Sequence, residues 1–305
     1  MRPLRSKKSS KPRLVFFGNE RLATAVSTKA PVLRALVAAG YEVVMVVASH
    51  TEAVSRSRRQ LEILDVAHAY HIPVLLPDKP LSIKDKLART GAEAAVLVAY
   101  GRIIPPEIIE IFPKGIINIH PSLLPKLRGS TPVETTILNG LEETGVSLMK
   151  LTAEMDTGPV YIQKKIELTG SETKPELATH LLDEGCELLI NNLDRILSGK
   201  LKPKPQDETE ATYTRLLTKQ DGQLDLKEPA EVIERKIRAF VGFPKARTAV
   251  FGREVVITKA RLAISANDGN LVLKCQPGYL EVLELIAPSG RTMSGADFTR
   301  GYQKK

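Results

Sequence analysis

The sequence predicts an α/β protein: an open, mostly parallel, Rossmann-like sheet with helices on both faces, followed by a smaller domain of short strands. Three observations predict it. Apolar strand-like runs alternate with helix-like stretches over residues 13–197, the β-α-β-α order that buries a parallel sheet between helices. A polar, proline-bearing stretch, SGKLKPKPQDETEATY (198–213), then interrupts the pattern and reads as a linker. Beyond it the apolar runs are short, β-rich and separated by turn sequences such as NDGN and QPG, which suits a small β-barrel or sandwich. A chain of 305 residues, 43% of them hydrophobic, is long enough for two domains.

The first strand is RLVFFG (13–18). PVLRALVAAG (31–40) is a helix, with Pro31 in a first turn that needs no N–H there and Gly40 just past the end. YEVVMVVAS (41–49) is a strand, residues 54–71 are helical, and IPVLLP is a short strand. SIKDKLARTG is a helix closed by Gly91, AEAAVLVAYG (92–101) a strand, PPEIIEIF a short helix and GIINIH (115–120) the next strand. Thr131, Pro132 and Glu134 mark a helix start as N-cap, first-turn proline and capping-box acid, and Asn139-Gly140 mark its end. GVSLMKLTAE (145–154) is a strand, MDTGPV a turn, and a long helix spans roughly 175–197. After the linker, PAEVIERKIRAF (229–240) is amphipathic, with Val232, Ile233, Ile237 and Phe240 on one side. REVVITKARLAI, NLVLKCQ and YLEVLELIA are the strands of the second domain. The boundaries expected are a tail over 1–13, a first domain over 14–200, a linker over 201–212 and a second domain over 213–305.

The net charge of +9 lies entirely in residues 1–60, which hold 12 Lys/Arg against 3 Asp/Glu. The opening MRPLRSKKSSKPR has six cations and no acid, and lacks the apolar core of a signal peptide. It is either a solvated tail or an arm that neutralises phosphates. No run of 18 apolar residues is present, so no membrane span is expected. Two distant cysteines, Cys186 and Cys275, fit a reduced, cytoplasmic setting better than a disulfide scaffold.

The chemistry concentrates in NIHPSLLPKLRGSTP (118–132). Asn118 and His120 are two apart on a strand, so their side chains share one face while Ile117 and Ile119 take the other. An imidazole can give or take a proton near neutral pH, and an amide N–H can donate to an oxygen that gains charge in a transition state. Together they suit acyl transfer; on residue types alone, His120 reads more readily as a structural histidine bonded to backbone than as a catalytic one. Pro121 and Pro125 fix the backbone around Ser122, Leu123 and Leu124, which form either an apolar wall for a flat ligand or a rigid turn with two core leucines. Arg128-Gly129 either holds an anion or leads into the next helix. Asp156, in the turn EMDTGP, is a carboxylate able to orient His120, or simply a turn residue. There is no P-loop, HExxH or CxxC, FFGNERLA after the first strand is no GxGxxG, and His68 with His71 lacks a completing ligand, so no metal is expected.

INIHPSLLPKLRGSTPV followed by ETGVSLMKLTAEMDTGPVY resembles the signature of the folate-dependent formyltransferases. The resemblance implies a catalytic set of Asn118, His120 and Asp156. It also implies a pocket for 10-formyltetrahydrofolate along Val98, Ala99, Tyr100 and Gly101 and along Ser122, Leu123, Leu124 and Pro125. The order TYTRLLTKQDGQLDL, KIRAF, LKCQPGYLEVLELIAPSGRTMSGADFTRG resembles the branch that formylates methionyl-tRNA, with residues 14–200 as catalytic domain and 213–305 as an OB-like, tRNA-binding barrel. That resemblance implies formyl transfer to the α-amine of methionyl initiator tRNA for translation initiation, by a monomer. Arg56, Arg58 and Arg59, in the atypical loop SHTEAVSRSRRQLE, are the candidate tRNA contacts. Two other readings are a formyltransferase acting on a sugar-nucleotide amine and a non-catalytic RNA-binding relative.

Overall fold

The computed structural model describes residues 11–49, 61–266 and 271–303. Arg56, Arg58 and Arg59, and the basic opening up to residue 10, lie outside the described residues. In chain order the first half folds as β1 (Arg13–Gly18), α1 (Pro31–Ala38), β2 (Glu42–Val47), α2 (Glu62–Ala69), β3 (Val74–Leu75), α3 (Lys84–Arg89), β4 (Ala94–Val98), α4 (Pro106–Ile109), β5 (Ile116–His120), α5 (Pro132–Leu138), β6 (Glu143–Lys150), β7 (Val160–Glu167) and α6 (Lys174–Leu197). The second half holds α7 (Ala230–Ala239), β8 (Ala246–Val250), β9 (Arg253–Ala263), β10 (Val272–Lys274), β11 (Tyr279–Ile286), β12 (Thr292–Ser294) and α8 (Gly295–Tyr302). No helix among the described residues is long and apolar enough to cross a membrane.

The first sheet runs β3-β2-β1-β4-β5-β6-β7. Strands β1 to β5 pair in parallel, and β6 and β7 extend the edge antiparallel. β4 and β5 are buried along their whole length, as expected of central parallel strands covered on both faces. The strand order reverses around β1 and β4, and ligand crevices in such sheets open beyond the carboxyl ends at that point. The second sheet is a smaller, curled antiparallel one, ordered β10-β11-β9-β8 with β12 on β11. One apolar core runs through both: Ile117 and Ile119 of β5, Ile137 of α5, Ile233 and Ile237 of α7 and Leu280 of β11 belong to it. The two sheets are therefore not beads on a string.

Three departures from the sequence-based expectations have physical causes. β7 (VYIQKKIE) alternates too weakly to be expected from its own residues; it forms by adding to the exposed edge of β6. The capping box expected at Thr131 and Glu134 does not form: the Thr131 hydroxyl donates to the Arg215 carbonyl (2.8 Å), and Glu134 is buried against Lys174 (3.7 Å). A capping box stands instead at Thr173 and Glu176, at the start of α6. The linker, finally, is hydrogen-bonded along its length: Lys204 exchanges two 2.8 Å backbone bonds with Val160, and Tyr213 pairs with Arg128.

Glu20 is only 1% exposed and sits under the first turn of α1, where the backbone N–H groups of Val32 (2.8 Å) and Leu33 (2.9 Å) donate to its two carboxylate oxygens. A negative charge is favoured at a helix N-terminus, yet burial wins and pushes its pKa from 4.5 up to about 7. The folded chain thus holds this proton more tightly than the unfolded one. Its contribution to stability is complete below about pH 4.5 and is lost as pH rises to about 7. The shift corresponds to about 3 kcal/mol, and Glu20→Gln should flatten that part of the stability–pH curve. Denaturant unfolding between pH 5 and 8 checks this: equal slopes for both proteins would refute it.

Candidate active site

The site is built where β5 ends. Asn118 and His120 lie on one face of β5, are 6% and 4% exposed, and pair in register with Met149 and Ser147 of β6. The Asn118 amide hydrogen-bonds no described residue, so both its N–H groups remain available. The His120 ring is held at Nε2 by a backbone carbonyl. Nε2 lies 3.1 Å from the Leu127 carbonyl oxygen, which can only accept, so Nε2 carries a hydrogen and Nδ1 is the nitrogen that gains or loses a proton. Nδ1 faces Asp156 Oδ2 at 3.6 Å, within ion-pair range and beyond a direct hydrogen bond.

Asp156 is held from two directions. Its φ of +53° places it in the left-handed region, which Asp tolerates better than most residues. Its Oδ2 accepts from the Gly129 N–H at 2.8 Å. Two residues on, Gly158 passes so close to β6 that a Cβ there would meet the Lys150 carbonyl oxygen at 1.8 Å. The DTG sequence thus combines a tolerated left-handed turn with a glycine that no side chain can replace.

The loop from Ser122 to Pro125 is sewn to the sheet. The Ser122 hydroxyl donates to the Lys126 carbonyl (2.6 Å), and the Ser147 hydroxyl donates to the Ser122 carbonyl (2.6 Å) while accepting from the Leu124 N–H (3.1 Å). Gln163 of β7 donates to the Leu124 carbonyl (2.8 Å), and the Leu124–Pro125 bond is cis. Leu123 is half-buried and rests over Gly145, where a Cβ would come within 2.5 Å of it; Leu124 is buried. On the other side, Val98 ends β4 in the core, Ala99 and Gly101 take positive φ, and the Tyr100 ring is buried edge-on against Phe17 at 5.5 Å. The Tyr100 side chain therefore packs in the core below the loop, and burial pushes its hydroxyl pKa up.

Arg128 turns its guanidinium inward, to partners within the chain. Its guanidinium is fully buried, and it donates to Gln206 Oε1 (3.1 and 2.8 Å), to both oxygens of Glu208 (2.7 and 2.8 Å) and to the Tyr213 hydroxyl (2.9 Å). Hydrogen bonding to Glu208 holds the guanidinium in its charged form and lowers the Glu208 pKa in turn. Sequence reasoning misses Gln206, Glu208 and Tyr213. They sit in a polar stretch with no local signal for a partner 78 to 85 residues away. Among the described residues, no group of three His, Cys, Asp or Glu side chains could hold a metal ion.

Two family models match almost the whole chain: formyl transferase over residues 15–193, and the formyl transferase C-terminal domain over residues 216–303. The chain belongs to the formyl transferase family. A methionyl-tRNA formyltransferase of Chloroflexus aurantiacus is 35% identical over 305 residues, covering 95% of this chain and 96% of that one. Among solved structures, HypX from Aquifex aeolicus in complex with tetrahydrofolic acid superposes with a TM-score of 0.66 at 16% identity. That match covers 97% of this chain, which spans about half of HypX (48%). A methionyl-tRNA formyltransferase from Clostridium thermocellum superposes with a TM-score of 0.55 at 18% identity, covering 83% of this chain and 94% of that one. At these identities the structural likenesses speak for the formyl transferase fold alone.

Proposed function

We propose that the chain transfers the formyl group of 10-formyltetrahydrofolate to the α-amine of methionyl initiator tRNA, giving N-formylmethionyl-tRNA. The observation that carries this reading is the full-length match at 35% identity to a protein named for that activity, second domain included. The folate co-substrate is read as lying over the strand ends, between residues 98–101 and residues 122–125.

The neutral amine attacks the formyl carbon, forming the new C–N bond as the carbonyl electron pair moves to oxygen. Asn118 donates to that oxygen, and the His120 ring, protonated on Nδ1, supplies positive charge beside it. Collapse breaks the bond from carbon to N10 of the folate. The proton lost by the attacking amine ends on N10, so tetrahydrofolate leaves neutral at that atom. Asp156, 3.6 Å from Nδ1, supports the protonated ring and relays the proton through water. The amine acceptor is engaged by the second domain and by Arg56, Arg58 and Arg59, as a soluble cytoplasmic enzyme of translation initiation.

Purified protein should formylate charged initiator tRNA in the presence of 10-formyltetrahydrofolate, and act poorly on elongator methionyl-tRNA. Formylation of an amino-sugar nucleotide with none on methionyl-tRNA would overturn the acceptor. No transfer to any amine, with no binding of reduced folate, would overturn the reaction.

A further inference from the structure

The Gln206 side chain, from outside both, touches both halves of the catalytic frame. Its Nε2 donates to the carbonyls of Asp156 and Gly158, each at 2.7 Å, and its Oε1 accepts from Arg128 Nε at 3.1 Å and Nη2 at 2.8 Å. Both N–H groups and both lone pairs of the amide are used, which also fixes its orientation. Flipped, it would set NH2 against a guanidinium and oxygen against two carbonyls. Arg128 is immobile, because it is fully buried and also held by Glu208 and Tyr213. On either side of Arg128 stand the two backbone groups that hold the pair: the Leu127 carbonyl on His120 and the Gly129 N–H on Asp156. The distance from His120 Nδ1 to Asp156 Oδ2 is therefore set by how residues 127–129 sit relative to the turn 156–158. Gln206 bridges these two segments with four hydrogen bonds.

We propose that Gln206 is a positioning residue: from the segment joining the two domains, it clamps the Asp156 turn to the Arg128 loop and sets the separation of His120 and Asp156. The proposal rests on the reading that this pair carries formyl transfer. It predicts that the segment 204–208 belongs functionally to the active site, whatever amine the second domain presents.

Two variants separate the halves of the clamp. Gln206→Met removes all four bonds. Gln206→Glu keeps an acceptor for Arg128 and loses both donors to the turn, setting an oxygen against the two carbonyls instead. Both should lower kcat about 10–100-fold, as misplacement by an ångström does, with the KM for the folate donor within about twofold of wild type. Asp156→Asn should lower kcat at least as far, and Asp156→Asn/Gln206→Met no further than Asp156→Asn alone, since Gln206 acts through that carboxylate. The Gly129 amide, bonded to Asp156, should exchange its hydrogen faster in both Gln206 variants. A wild-type kcat in Gln206→Glu, effects that multiply in the double variant, or unchanged Gly129 exchange would each overturn the clamp. Absence of formyl transfer in the wild-type protein would instead overturn the functional reading, and the exchange measurement would still decide the clamp.

Discussion

His120→Ala lowers the turnover of formyl transfer by about 10²–10⁴-fold, the range that a positioned proton-transfer group supplies, while folate binding persists. The ring lies at the end of a strand that is buried along its whole length, with Nε2 bound to the Leu127 carbonyl. Its removal leaves the strand pairings of β5 in place, because these are backbone bonds to β4 and β6. The loss should therefore appear in kcat. Stopped-assay kinetics on charged initiator tRNA, alongside equilibrium titration of reduced folate, measure both. Near-wild-type turnover would return His120 to a structural role. His120→Gln, which can still donate to the Leu127 carbonyl, should recover little of the rate.

Lys174→Met destabilises the chain by about 3–5 kcal/mol, the cost of leaving a buried charge without its partner. Lys174 is fully buried at the start of α6, donates to the carbonyls of Thr24 (2.9 Å) and Phe243 (2.8 Å) and lies 3.7 Å from Glu134. Burial pushes the Glu134 carboxyl up and the Lys174 ammonium down, and their mutual attraction opposes both shifts. One ammonium thus staples the loop after β1, the helix α5 and the segment leading into β8. Lys174→Met/Glu134→Leu should recover part of the loss, because it removes the stranded carboxylate, though not the two bare carbonyls. Denaturant midpoints of the two variants decide this; equal midpoints would show that the pair carries no coupling.

Much of the candidate site is legible in the sequence, and the reasons are local. The strand GIINIH (115–120) announces itself by continuous apolarity, so two polar residues spaced by two within it stand out. Asp156 is marked by a turn sequence whose glycine has no room for a side chain. Polar residues with distant partners are the ones that stay illegible. Thr131 and Glu134 carry the composition of a capping box, but tertiary partners, Arg215 and Lys174, outcompete the local bonds. Arg128 has the look of an anion-binding residue because nothing nearby in sequence suggests three partners in the linker. The linker itself has the composition of a connector; its polarity in fact serves hydrogen bonds to the first domain. Turn signals and short strands announce the second domain, whereas β8, β12 and α8 are too short or too polar to stand out alone.

The seam between the domains has a practical meaning for grafting. Residues 212–215 run along residues 125–131: Arg128 N–H donates to the Thr212 carbonyl (2.9 Å), Thr214 N–H to the Arg128 carbonyl (2.7 Å) and Leu127 N–H to the Thr212 hydroxyl (2.8 Å). A chimera spliced at the composition break near residue 200 would import a foreign second domain and discard the partners of a guanidinium that cannot reach water. The workable splice lies after Arg215, so that the stretch just beyond the break travels with the enzyme it holds together.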